Sequence, residues 1–191
     1  MNEDRNRWNA KHRNATGAAL PSPSLELLPR APSNATALEL ACGRGRNTER
    51  LARLGYRVVA SDVSEVALGA VRERVPDAQL VQADLEHWPF RAASCDVVVQ
   101  IDYLDRERLD DVAATVRPGG LLLIDTFFGE PGGLGPRNPH FRLRRDELVA
   151  VVDGWTLLAH DEGSRNPERA MILARRPSAL TSDNRSATRS T

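Results

Sequence analysis

The chain has 191 residues, 41% of them apolar and 27% charged, with a formal net charge of zero. That length suits one domain with a substantial core, and the balanced charge lacks the basic excess of a dedicated nucleic-acid binder. Two cysteines, Cys42 and Cys95, give neither a disulfide framework nor zinc spacing and are expected as buried thiols at strand positions.

Met1 to Arg13 is polar and does not read as a signal peptide. No apolar run approaches the ~20 residues that span a bilayer. The expected location is cytoplasmic, with no membrane partner and no nucleic acid. Residues 1–36 are expected to form a helical or lid-like segment ahead of the main domain. Trp8 is the one large apolar residue among the first dozen. Ser24 is placed to cap a short helix over Leu25 to Leu28, which Pro32 ends.

Regular alternation begins at Ala37. A strand over Ala37 to Ala41 leads to a helix that opens near Asn47 or Thr48, buries Leu51 and Leu54, and stops at Gly55. A strand over Arg57 to Ser61 follows. Ser64 then caps a helix whose apolar positions Ala67, Leu68, Val71 and Val75 fit a period of about 3.6. Pro76 ends that helix, and a third strand covers Ala78 to Ala83. The fourth strand, Cys95 to Ile101, is apolar on both faces. A helix over Leu109 to Val116 comes next, and Pro118-Gly119-Gly120 turns the chain into a fifth strand, Leu121 to Asp125. Phe127 to Pro139 is an irregular loop rich in Gly and Pro. A helix over Asp146 to Val152 precedes a hairpin of Trp155 to His160 and Arg169 to Arg175. Residues 177–191 are Ser, Thr, Asn and Arg with little apolar content, and disorder is expected there. Uninterrupted apolar strands joined by helices predict a doubly wound, Rossmann-like α/β sheet over residues 37–176.

The run Ala37 to Asn47 is a strand that breaks into a glycine turn, Gly43-Arg44-Gly45, and then opens a helix. Asp62, 19 residues beyond Gly43, ends the next strand, where a carboxylate can accept from both hydroxyls of a ribose. A dinucleotide site calls for a third glycine, and Thr48 stands in its place. Asp84 at the end of the third strand can accept from an adenine amine. Glu39, inside the first strand, is a buried acid that calls for a cation, such as the ammonium of a methionine moiety.

These stretches resemble the class I S-adenosylmethionine-dependent methyltransferases. The resemblance rests on Leu38 to Gly45, Val59 to Ser64, Gln82 to Leu85, and Leu104 with Arg117 to Leu121. Within that class the chain is similar to small bacterial methyltransferases of the tellurite-resistance and thiopurine type. The carriers are Gly45-Arg46-Asn47, Trp8 to His12, and Asn138-Pro139 ahead of Leu143 to Leu148. The resemblance implies seven strands in the order 3-2-1-4-5-7-6, with strand seven antiparallel. It implies S-adenosyl-L-methionine as cofactor, with Glu39, Ala41, Gly43 and Gly45 around its methionine part and Arg46 near the carboxylate or on the helix surface. Asp62 and Val63 fall at the ribose, Asp84 and Leu85 at the adenine, and Gln100 near the sulfonium.

Methyl transfer is an in-line displacement in which positioning supplies much of the rate, and no residue is assigned as a general base. The segment after strand four reads Gln100-Ile101-Asp102-Tyr103 rather than the Asn-Pro-Pro-Tyr run of enzymes that methylate amino groups of nucleic acids. With zero net charge, that points to a small-molecule acceptor. Candidates to meet it are Trp8, Asp102, Tyr103 and His140, with Phe127 to Phe141 as a wall. No metal is expected. The competing readings are a cofactor-binding protein that transfers nothing and a nicotinamide-dependent dehydrogenase.

Overall fold

A computed structural model of the chain describes residues 2–17 and 19–178. The predicted disordered tail lies outside the described residues from 179 onward. Seven strands form one sheet: β1 Thr36–Leu40, β2 Arg57–Asp62, β3 Gln79–Gln82, β4 Cys95–Ile101, β5 Val116–Phe127, β6 Thr156–Glu162 and β7 Arg169–Arg175. Their order is β3-β2-β1-β4-β5-β7-β6, and β7 runs antiparallel to both β5 and β6. The doubly wound architecture and the C-terminal hairpin are therefore as the sequence predicts.

Five α-helices accompany the sheet: α1 Asn2–Asn14, α2 Arg46–Arg53, α3 Glu65–Arg74, α4 Leu109–Thr115 and α5 Glu147–Val151. The alternating residues of each central strand feed opposite faces. Leu38, Leu40, Val98, Leu122 and Ile124 pack with Val112 of α4 and Leu148 of α5. Ala37, Val97, Val99, Leu121 and Leu123 pack with Leu25, Leu28 and Leu51 on the other face. Leu68 and Val71 of α3 close over Ala60 and Cys42. Both cysteines are buried free thiols.

Three local readings need correction. Ser24 does not cap a helix: a 3-10 turn covers Pro23–Leu27, and the Ser24 hydroxyl pairs with that of Ser22 at 2.9 Å. Neither Asn47 nor Thr48 caps α2, whose N-cap position is Gly45 with no side-chain hydrogen bond. Pro118-Gly119-Gly120 is not a turn before β5 but part of it. The ladder with β4 shifts register between Cys95 and Val97, and a Cβ on Gly120 would lie 2.6 Å from the Asp96 carbonyl. A bulge absorbs the extra residues there. The polar N-terminus, within the segment expected to be helical or lid-like, contains the helix α1. α1 has no apolar stripe, but Glu3 and Asp4 sit in its first turn and Lys11, His12 and Arg13 in its last. That segregation complements the helix dipole.

The loop after β5 is irregular in backbone yet tightly organised. Arg142 is 1% exposed and serves as its hub. Its guanidinium donates to the carbonyls of Gly129 at 2.8 Å, Leu134 at 2.7 Å and Phe128 at 2.8 Å, and pairs with Glu168 at 3.0 Å. Glu168 in turn accepts from the amides of Gly132 and Leu134, each at 3.0 Å. The Gly132 amide is the main influence holding the Glu168 carboxyl below its ordinary range. Gly135 lies directly on the Phe127 ring, where a Cβ would come within 2.2 Å. Arg142→Met strands those carbonyls and leaves Glu168 without its cation. The expected cost is about 3–5 kcal/mol in urea unfolding, as for breaking a buried pair. A loss under about 1 kcal/mol, the scale of an exposed pair, would show the hub to be dispensable.

Candidate functional site

The glycine turn, the end of β2 and the end of β4 converge at the carboxyl edge of the sheet, where strand order reverses on either side of β1. Asp62 is 7% exposed. Its Oδ2 accepts from the Gly43 amide at 2.8 Å and its Oδ1 from the Ser64 amide at 2.9 Å. Each oxygen keeps a further lone pair for another donor. Gly43 has a φ of +53° and Gly45 a φ of +81°, both left-handed. Gly45 also serves packing: a Cβ there would stand 2.9 Å from Val71 Cγ2 on α3. Ala41, just before the turn, takes a φ of +49° without being glycine. Val63 follows Asp62, and its carbonyl accepts from the Gln82 amide group at 3.2 Å.

Glu39 is 1% exposed and points toward α2. It accepts from the Thr48 hydroxyl, and the Asn47 side chain also bonds to it. Those bonds satisfy it only in part. Burial raises its pKa from 4.5 to about 8, opposed by Thr48, Asn47 and the Arg46 charge. A buried carboxyl in that state gains most from an added cation.

α1 lies across the turn. Asn9 is 3% exposed and donates to Glu65 at 2.8 Å, while accepting from the Ser64 hydroxyl at 2.7 Å. It thus ties α1 to the cap of α3. Trp8 stacks on His12 with ring centroids 5.8 Å apart, and Lys11 Nζ lies 4.2 Å from the Trp8 ring centre. A Cβ on Gly43 would be 3.5 Å from His12 Cε1. Burial lowers the pKa of His12, and Asp62 opposes that shift. Asn9 and His12 lie within the Trp8 to His12 run that carries the resemblance, but α1 has no hydrophobic periodicity to mark them as its inner face.

Arg46 and Asp102 are joined to each other. Arg46 pairs with Asp102 and donates to the Leu20 carbonyl at 3.1 Å. Asp102, with a φ of +57°, also pairs with Arg169. Arg169 donates to Asp125, which accepts from the Ser22 hydroxyl at 2.9 Å. Asp102 is therefore a bridge between two guanidinium groups. Arg169 completes the link to the loop by lying over the Phe127 ring at 5.0 Å.

On the opposite face of the sheet, Gln100 is 1% exposed and donates from Nε2 to the Tyr103 carbonyl at 3.0 Å. Burial, followed by Asp105, Glu86 and Asp84, pushes the Tyr103 phenol up. Leu85 is buried in the core beneath it. Asp84 lies two residues past the end of β3, where its carboxylate accepts from the Glu86 amide at 3.2 Å and faces His87 at 3.6 Å. His140 is exposed on a 3-10 turn, edge-on to Phe141, with its carbonyl held by Arg106. The structure brings Glu39, Gly43, Gly45 and Asp62 together, and it sets His140 on the outer side of the loop. Among the described residues there is no cluster of three or more His, Cys, Asp or Glu arranged for a metal, and no helix is long and apolar enough to cross a membrane.

A family profile described as a methyltransferase domain matches residues 37–120, from β1 to the start of β5. A probable S-adenosylmethionine-dependent methyltransferase of Mycobacterium tuberculosis is 37% identical over 125 residues, covering 60% of this chain and 46% of that protein. The chain thus spans about half the length of such relatives. TehB of Haemophilus influenzae shares the fold, with a TM-score of 0.63 and 23% identity, over 75% of this chain and 58% of that one. The 1,6-didemethyltoxoflavin-N1-methyltransferase of Burkholderia thailandensis, solved with its substrate and S-adenosylhomocysteine, matches with a TM-score of 0.65 at 18% identity, over 92% of this chain and 87% of that one. Residues 37–120 thus match a methyltransferase domain, and the chain is similar to proteins named as S-adenosylmethionine-dependent methyltransferases and shares the fold of the solved ones.

The raised pKa of Glu39 has a signed consequence for stability. The folded state favours the protonated form, so stability is intact below 4.5, falls as pH rises toward about 8, and is level above that. Glu39→Gln removes this dependence. In thermal melts of the ligand-free protein, the variant should be nearly unchanged at pH 4.5 and more stable than the parent at pH 8.5. An equal shift at both pH values would contradict a neutral buried carboxyl.

Proposed function

We propose that the chain transfers the methyl group of S-adenosylmethionine to a small-molecule acceptor in the cytoplasm, with residues 37–176 as the catalytic domain and residues 1–36 as its cover. The observation that carries this is Asp62. It is braced by the Gly43 and Ser64 amides with lone pairs still free, at the tip of the strand beside the glycine turn. The residues fit the cofactor. Asp62 holds the ribose hydroxyls, with Val63 beside them. Gly43, Gly45 and Ala41 border the methionine part. Glu39 receives its ammonium, which explains why a buried carboxyl is kept there. Asp84 and Leu85 flank the adenine, and Gln100 stands at the end of β4 toward the reacting methyl.

The bound cofactor supplies an activated methyl on a sulfonium whose departure leaves a neutral thioether. The chain's own task is to hold the two reactants in line, where orientation can supply a large part of the barrier reduction. Trp8 and His12 on α1 cover the turn, and the Arg142-ordered loop forms a fixed wall. Arg46 contributes by fixing Asp102 and the segment at Leu20, so we assign it to positioning the cover. Zero net charge agrees with a small acceptor rather than nucleic acid.

Calorimetric titration with S-adenosylhomocysteine tests the site. The parent should bind it and not NAD. Asp62→Ala should weaken binding by about 1.5–3 kcal/mol, as for hydrogen bonds to a charged group. Unchanged affinity in a folded Asp62→Ala protein would refute the ribose assignment. Binding without transfer to amine, thiol or tellurite acceptors would favour a non-catalytic binding protein.

A further inference from the structure

Two polar atoms on the α4/α5 face of the sheet are buried without a hydrogen-bond partner among the described residues. They are Gln100 Oε1 and Thr126 Oγ1. Gln100 is 1% exposed and Thr126 is wholly buried. The Tyr103 carbonyl accepts from Gln100 Nε2 and so fixes the amide orientation, which makes the unpartnered atom an acceptor. The strand register pairs Gln100 with Ile124. Thr126, two residues further on, points to the same face. With ordinary strand rise and spacing their Cα atoms lie about 8 Å apart, close enough for one small molecule to meet both side chains.

Leaving a buried acceptor unsatisfied costs about 1–3 kcal/mol. Two such atoms at the tips of adjacent strands, next to the glycine turn, are explained if a ligand completes them. Their surroundings describe it. Phe128, on the same face two residues past Thr126, is in the core there, and Tyr103, Trp88 and Phe90 pack against that core. Burial raises the pKa of the Tyr103 phenol, and Asp105, Glu86 and Asp84 add to the rise against one opposing cation, Arg108, so acids outnumber cations around this ring. Arg46 and Arg169 face the other side and are paired with Asp102 and Asp125, while Arg106 and Arg108 on this side are paired with Glu147 and Asp111.

We infer that Gln100 and Thr126 are the specificity-determining floor of the acceptor site, and that the acceptor is a planar, uncharged or cationic molecule presenting an N–H or O–H to Gln100 Oε1. This rests on the methyltransferase reading above. In the transfer, a lone pair on the acceptor's nitrogen or oxygen forms the new N–CH3 or O–CH3 bond as the S–CH3 bond breaks. The S–CH3 bonding pair stays on sulfur, leaving a thioether, and the proton on the attacking atom leaves to water.

The test uses the full chain loaded with S-adenosylmethionine and a panel comprising benzimidazole, 4-aminopyridine and phenol, with succinate and tellurite as anionic comparators. Transfer should occur to the first group and not to the second. Thr126→Val should raise KM for the acceptor at least tenfold while S-adenosylhomocysteine affinity stays within twofold. Thr126→Ser should restore KM, and Gln100→Met should lose transfer. Removal of the unsatisfied hydroxyl should also leave Thr126→Val at least as heat-stable as the parent. The inference is overturned by preference for the anions, by a parent KM in Thr126→Val, or by cofactor binding with no donor-bearing compound methylated. Absence of S-adenosylhomocysteine binding would instead sink the methyltransferase reading itself.

Discussion

The rest of the site depends on one carboxylate. Asp62 accepts from Gly43 ahead of α2 and from Ser64 at the start of α3, so a single side chain fixes the glycine turn relative to the next crossover. Backbone amides are rigid donors, and a carboxylate between two of them cannot rotate without losing one. The turn therefore arrives at its position already formed. Gly45 can then take its left-handed conformation against Val71, and α2 starts without a side-chain cap because the turn delivers it. Asn47 and Thr48, freed from capping, are used inward on Ser22 and Glu39.

The cover over this turn is held by polar contacts rather than by apolar burial. α1 has one buried side chain among those described, Asn9, and its grip is on Ser64 and Glu65. The following segment is fastened by Arg46 to Leu20 and by Asp125 to Ser22. Hydrogen bonds of this kind contribute about 0.5–1.5 kcal/mol each, and a little more when charged. The core strands, by contrast, bury a continuous run of Val and Leu. A segment held in this way can detach while the sheet stays folded, which under the proposed function would let the cofactor enter.

What was legible in the sequence follows the same division. Buried strands announce themselves as apolar runs, and β4 lies where the run Cys95 to Ile101 put it. The Ser64 cap was also readable, because its hydroxyl accepts from Ala67 three residues on. α1 lies in the segment expected to be helical or lid-like, but its bounds leave no mark, because charge placement and tertiary hydrogen bonds produce no period of 3.6. Arg142 was missed for a related reason. A buried arginine surrounded by backbone carbonyls depends on a loop path that no local pattern encodes. Asp102 stands after β4, where its position suggests substrate contact or helix entry, and its partner Arg169, 67 residues further along, leaves no local signal.

The two faces of the sheet then divide the chemistry. Toward α2 the acids are matched: Asp102 and Asp125 share Arg46 and Arg169, and Glu39 avoids its unmet charge by binding a proton. Toward α4 and α5 the two buried strand-tip side chains, Gln100 and Thr126, are neutral, and each has an unmatched oxygen. A cationic cofactor and a neutral acceptor have opposite needs. The ammonium and sulfonium favour the side where a carboxyl can ionise in response. A neutral nucleophile needs a dry pocket with a few hydrogen-bonding atoms, where its lone pair is not shielded by water. Under the proposed function, strand tips that present Glu39 and Asp62 to one side and Gln100 and Thr126 to the other would meet both needs across a single edge, with the methyl crossing between the two sides.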